Sequence, residues 1–170
     1  MTDRAPILVR PGEEHDLPEL TAIYNHFVEH SVATFDVETF TVGERREWFG
    51  HYAPTGPHRL LVGVVDGRVA GYATSGVFRA KPCYARSVET TVYCDPAATG
   101  RGLGSALYAR LLEVLAAEGL HRAYAAVALP NEPSERLHRR FGFREIGTWT
   151  EVGHKQGRWV DVRWYERALP

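Results

Sequence analysis

A chain of 170 residues, 44% apolar and 24% charged, has the size and make-up of one globular unit around a single core, here residues 1–170. Lys and Arg number 20 against 21 Asp and Glu, a net charge of −1, which argues against a nucleic-acid partner because phosphate binding demands a basic excess. No apolar run approaches the ~20 residues of a membrane helix, and two cysteines with scattered histidines suggest neither a disulfide framework nor a metal site.

The opening Met1-Thr-Asp-Arg-Ala-Pro lacks the long apolar stretch of a signal peptide, and the presence of only Cys83 and Cys94 points to a reducing, cytoplasmic compartment. Ile7 to Arg10 reads as a short strand. Asp16 to Glu19 reads as a helix start, Asp16 capping and Glu19 reaching back, followed by Leu17, Leu20, Ile23, Tyr24, Phe27 and Val28 at helical spacing. A second start at Thr41 to Glu44 leads into Trp48, Phe49 and Tyr52 and stops at the Pro54 to Pro57 cluster. Leu60 to Val65, the turn Asp66-Gly67 and Arg68 to Val77 form a hairpin signal, and Ser87 to Cys94 a third strand. A helix over Gly102 to Glu118 carries Leu103, Leu107, Leu111, Val114 and Leu115 on one stripe, with Gly119 suited to its cap. A strand (Ala123 to Leu129), a short helix (Ser134 to Phe141) and two strands turning near Gln156-Gly157 complete the chain. This order predicts an α/β (or α+β) fold with a mixed sheet and helices on its faces.

The stretch from Thr91 to Ser105 places a strand, a glycine-rich turn and a helix start in succession. Free N–H groups at a helix start attract anions, and glycines let a phosphate approach the backbone. Gly100, Gly102 and Gly104 supply that access, Arg101 adds charge, and Ser105 can donate a hydrogen bond. The spacing is neither a Walker loop, which needs Gly-Lys-Ser/Thr, nor the dinucleotide pattern G-x-G-x-x-G.

At these residues the chain resembles the GNAT superfamily of N-acetyltransferases, whose signature is Gln/Arg-x-x-Gly-x-Gly/Ala at the start of a long helix. Thr99 stands here where Gln or Arg is usual. The resemblance implies a mostly antiparallel central sheet and acetyl-CoA as co-substrate. It also implies that Val92, Tyr93 and Cys94 pair with the pantetheine arm, that the Cys94 N–H polarises the thioester carbonyl, and that Thr99, Leu103, Asn131 and Ser134 join the glycines in binding the cofactor. Further segments are similar to the phosphinothricin and methionine sulfoximine acetyltransferase branch: Ile23 to His26, Ala33 to Phe35, Glu47-Trp48, Tyr84, Ser87 to Tyr93, Leu129 to Ser134, and Lys155, Gly157, Trp159 and Asp161 near the end. Resistance enzymes and broader amino-acid detoxifiers share that pattern.

Acetyl transfer requires a neutral amine and hence a proton acceptor. Glu89, between Val88 and Thr90 on a central strand, is the candidate base, and the resemblance implies the same role. His138 occupies the place where many members carry a Tyr near the sulfur; it is a candidate acid or relay, or else a packing residue. Arg79, Lys81 and Tyr84 are candidate anchors for an acidic acceptor, or else surface charges. The resemblance adds Phe35, Thr91, Trp159 and Asp161 to the acceptor pocket and implies a homodimer. The acceptor expected is a small amino-acid-like amine such as phosphinothricin, methionine sulfoximine or methionine sulfone. Another small amine, a protein N-terminus, or acyl-CoA sensing without turnover remain open alternatives.

Overall fold

Seven strands form one sheet in the computed structural model, which describes residues 6–170; residues 1–5, and with them most of the segment read for a signal peptide, lie outside it. The Asp66-Gly67 turn joins β2 (Arg59–Val65) to β3 (Arg68–Val77), with both turn residues at positive φ as a tight hairpin demands. With β1 (Leu8–Pro11), β4 (Ser87–Cys94), β5 (Arg122–Ala128), β6 (Arg144–Lys155) and β7 (Arg158–Ala168), the sheet runs β1-β2-β3-β4-β5-β7-β6. Every pairing is antiparallel except β4 with β5.

Strand alternation sorts the side chains onto two faces. On one, α3 (Leu103–Ala116) buries Leu103, Leu107, Tyr108, Leu111 and Leu115 against Leu61, Ala73, Val88, Ala123 and Ala125. Each such leucine contributes roughly 1.5–3 kcal/mol on leaving water. Tyr108 and Leu112 take the place on this buried stripe that the sequence assigned to Val114, which is only partly covered. The short α4 (Glu132–Arg140) lies on the same side, with Leu137 against this core. On the other face, α1 (Leu17–His30) sets Leu20 and Ile23 against Leu60, Val62 and Tyr72, while α2 (Val42–Phe49) adds Trp48 and Phe49. Among the described residues no helix is long and apolar enough to cross a membrane.

Local signals held at α2, where Thr41 Oγ1 accepts from the Glu44 N–H and the Glu44 carboxylate accepts from the Thr41 N–H. They failed at α1. Asp16 does not cap that helix; its buried carboxylate closes the preceding turn, accepting from the Glu13 N–H at 2.8 Å and from Arg10 at 2.7 Å. A cation six residues upstream outcompeted the local cap. Helix α4 begins at Glu132 rather than Ser134, because Asn131 Oδ1 takes the Ser134 N–H at 3.2 Å and so stands as the N-cap. Helix α3 ends at Ala116, with Gly119 at positive φ in the turn beyond it.

Candidate active site

The two parallel strands part company soon after they meet. β4 pairs with β5 only over Ser87–Glu89 against Arg122–Tyr124, although both strands continue. Along β4 the antiparallel ladder to β3 alternates, and the Asp95 N–H is given to Ala70 O at 2.8 Å. The N–H groups of Val92 and Cys94 therefore point the other way, into the gap. An open ladder of this kind is completed by an extended ligand that pairs as a strand would.

The gap is a cleft of about 450 Å³, walled by Val92 and Cys94 on β4, Ala126 and Ala128 on β5, Gly102 to Ser105 of α3, and Asn131, Ser134 and His138 of α4. At its α3 end Gly102 is the N-cap with φ +86°, a conformation that costs an L side chain roughly 1–2 kcal/mol. No side chain caps this helix and its first backbone bond is Ala106 N–H to Gly102 O, so the N–H groups of Leu103, Gly104 and Ser105 lack helical partners. They form a ready anion site.

His138 is buried in the wall of the cleft. Its Nδ1 lies 2.7 Å from Ser134 O, which can only accept, so Nδ1 carries a proton. Burial lowers its affinity for a second proton, partly offset by that bond, and the ring is neutral at pH 7. Nε2 then accepts from the hydroxyl of Tyr108 at 2.8 Å, and Tyr108 in turn meets Thr90 Oγ1 at 2.7 Å. Thr90 also donates to Tyr124 O at 3.1 Å, closing a chain of buried polar groups from α4 to β5.

Glu89 and Thr91 share the opposite face of β4 from Thr90. Glu89 is half-buried between Gly76 of β3 and Tyr124 of β5. Burial pushes its carboxyl above the usual range, and the positive charge of Arg79 opposes this. A second cleft of about 330 Å³ lies on this face beneath α1 and α2, and it shares Thr91 and Tyr93 with the first.

The Acetyltransferase (GNAT) family matches residues 20–143. The chain belongs to this family. It is 57% identical over 171 residues to a phosphinothricin N-acetyltransferase of Streptomyces coelicolor, covering 99% of this chain and 100% of that one. It is 35% identical to an L-methionine sulfoximine/L-methionine sulfone acetyltransferase of Pseudomonas paraeruginosa, covering 95% and 94%. A crystal structure of a phosphinothricin acetyltransferase from Sinorhizobium meliloti, in complex with acetyl-CoA, superposes with a TM-score of 0.90 at 30% identity, covering 96% of this chain and 88% of that one. The protein is thus an acetyl-CoA-dependent acetyltransferase, and the open backbone ladder and free helix N-terminus are the features that fit the cofactor's extended arm and its phosphates.

Within this acetyltransferase, the residues read from sequence as cofactor contacts (Val92, Tyr93, Cys94, Thr99, Gly100, Gly102, Leu103, Gly104, Ser105, Asn131 and Ser134) all line the first cleft. Arg101 does not: its guanidinium pairs with Asp66 of the β2–β3 turn at 2.8 Å. Arg140, unnoticed in the sequence, instead reaches Ser105 Oγ at 3.4 Å from the end of α4.

The acceptor residues read from sequence are more scattered. Thr91 stands where the two clefts meet. Phe35 lies in the α1–α2 loop against Gly153 of β6, where a Cβ would come within 2.2 Å of its ring. Arg79 stacks on Phe78 and Trp164, beside a smaller pocket of about 180 Å³. Lys81 and Tyr84 are exposed around the turn before β4, with Tyr84 edge-on to Phe78. Trp159 is 62% exposed on β7 and contacts His154. Asp161 is occupied in accepting the Glu151 N–H at 2.7 Å, which stabilises the irregular stretch of β6 where the pairing slips. None of Phe35, Lys81, Tyr84, Trp159 or Asp161 lines any of the three clefts.

One residue of the terminal motif acts at a distance. Lys155 is buried and donates through Nζ to Thr34 O at 2.8 Å, holding the α1–α2 loop to the β6–β7 hairpin. Burial lowers its pKa, with Asp36 working against that. Among the described residues no group of three His, Cys, Asp or Glu side chains could hold a metal ion.

Proposed function

We propose that the protein transfers the acetyl group of acetyl-CoA to the α-amine of a small amino-acid-like acceptor of the phosphinothricin and methionine sulfone class. The observation that carries this reading is the meeting of the two clefts at Thr91, one residue pair along β4 from Glu89. The Cys94 N–H donates to the thioester carbonyl oxygen as that oxygen gains charge. The amine nitrogen bonds to the carbonyl carbon, Glu89 takes the proton the amine sheds, directly or through water, and the C–S bond breaks. The sulfur leaves as a thiolate that takes its proton from water, and Glu89 returns the amine's proton to solvent. His138, already neutral with its Nδ1–H held by Ser134 O, shapes the wall of the cleft and is not the acid. The names of the relatives support the acceptor class, since enzymes for phosphinothricin and for the two methionine derivatives match along almost the whole chain.

The β6–β7 hairpin supports a second part of the reading, assembly into a homodimer. Ile146, Trp149, Val152 and Trp159 are all exposed on it, an apolar set of the kind that marks an interface between copies. Light scattering of the purified protein tests this, and a mass of one chain at micromolar concentration overturns it.

The test of the chemistry is turnover of purified protein with acetyl-CoA and a panel of phosphinothricin, methionine sulfoximine, methionine sulfone, common amino acids, a polyamine and an N-terminal peptide. Fast release of CoA confined to the first three is expected. Glu89→Gln is expected to lose about 10²–10⁴-fold in kcat. Because Glu89 binds its proton more tightly than an ordinary glutamate, the acid limb of kcat/KM lies above the usual carboxylate range, activity falling as pH drops through that raised value. Turnover of the peptide or polyamine alone overturns the acceptor class.

A further inference from the structure

The second cleft contains an unpaired cation. Arg45, on α2, is only 5% exposed, yet among the described residues no carboxylate lies within 4.0 Å of its guanidinium. The group is packed between aromatic rings instead, its central carbon 3.5 Å from the centre of Trp48 and 4.5 Å from that of Tyr24. Its Nε and Nη2 are buried without any hydrogen-bond partner. A buried charge is costly unless paired, and ring faces offset only part of that cost.

Two carboxylates line the same cleft, but each is already engaged: Asp36 accepts from the Tyr24 hydroxyl, and Glu44 closes the Thr41 cap. The cleft therefore holds a buried guanidinium two of whose nitrogens are bonded to no protein acceptor. It opens onto Thr91 and Tyr93, the residues it shares with the cofactor cleft. A molecule that reacts at that junction and extends into this cleft meets a wall that includes Arg45.

The geometry points to Arg45 as the anchor for an oxyanion of the acceptor, either its α-carboxylate or an acid group on its side chain. This rests on the acceptor class proposed above. A planar guanidinium held rigid by stacking suits a two-oxygen acid group, which an ammonium would grip less specifically. The arrangement assigns acceptor selectivity to α2, a helix that carries none of the residues given a binding role so far.

The experiment is steady-state kinetics of wild type, Arg45→Gln and Arg45→Lys on three acceptors. Methionine sulfone carries only the carboxylate, its carboxamide carries no oxyanion, and the carboxamide of phosphinothricin carries only the phosphinate. For Arg45→Gln, KM is expected to rise more than tenfold for the acceptor whose oxyanion sits on Arg45, while the methionine sulfone carboxamide shifts less than threefold and kcat stays close to wild type. A rise for methionine sulfone assigns the carboxylate; a rise for the phosphinothricin carboxamide assigns the side-chain acid. Arg45→Lys, which keeps the charge without the fork, is expected to show a smaller rise in the same pattern and serves if the Gln variant fails to fold. Equal losses on all three acceptors, or none, overturn the proposal while leaving the acceptor class intact. Wild-type protein that turns over no amino-acid acceptor overturns the acceptor class and the Arg45 assignment together.

Discussion

The two faces of β4 are built in different ways. On the α3 side, the cleft is made of backbone: an unpaired ladder edge, three free N–H groups at a helix start, and a glycine holding a left-handed turn. On the α1 and α2 side, it is made of side chains gathered from far apart in the chain, with Tyr24 on α1, Asp36 in the loop between the helices, Arg45 and Trp48 on α2 and Thr91 on β4, while Lys155 at the end of β6 holds that loop from outside the cleft. Backbone recognition suits a co-substrate common to a whole family, because it tolerates change in most side chains. Side-chain recognition suits an acceptor that differs from one member to the next.

Three substitutions sharpen that contrast. The largest effect is expected for Lys155→Met, which leaves Thr34 O buried without its charged donor at a cost of about 1–3 kcal/mol. The acceptor loop is then loosened, and KM for the acceptor is expected to rise about tenfold or more, well beyond any change in KM for acetyl-CoA. Similar shifts in both constants would show that the two clefts are not separable. Gly102→Ala is the converse test. The φ of +86° strains any side chain there by roughly 1–2 kcal/mol, and nothing blocks the space a methyl would occupy. Weaker binding of acetyl-CoA by calorimetry, with acceptor KM unmoved, is expected; unchanged binding would remove the helix start from the site.

Arg101→Ala should have the smallest effect. Its ion pair with Asp66 is partly exposed and worth less than about 1 kcal/mol. Binding of acetyl-CoA within twofold of wild type is expected. A loss of tenfold would mean that Arg101 leaves Asp66 for a phosphate.

The contrast also explains what could be read from the sequence. Glycines, an Asp-Gly turn and a Thr-x-x-Glu cap are local signals, and the α3-side cleft, the β2–β3 hairpin and the start of α2 followed from them. Tyr108 was missed because its partners, Thr90 and His138, lie 18 and 30 residues away and meet it only through packing. In the sequence it is one more large residue on a leucine-rich helix. Arg45 sits in an ordinary charged run, Glu44 to Glu47, and only the rings of Tyr24 and Trp48 make it unusual. Asp16 failed for the opposite reason, a sound local cap signal overridden by Arg10. Lys155 and Asp161 were found by resemblance, yet they brace the loop and the irregular part of β6, and no motif distinguishes such bracing from contact with a ligand.

Cys94 raises a question of chemical durability. In the proposed mechanism this thiol stands near a thioester, where a thiolate would be a rival nucleophile and exchange onto it would leave the enzyme acetylated on itself. Burial pushes this thiol up to about 12, which keeps it in the protonated, poorly nucleophilic form at neutral pH. The apolar lining of the proposed cofactor cleft therefore also protects the cofactor from this thiol. For the same reason, Cys94 should resist iodoacetamide under conditions that label the exposed Cys83.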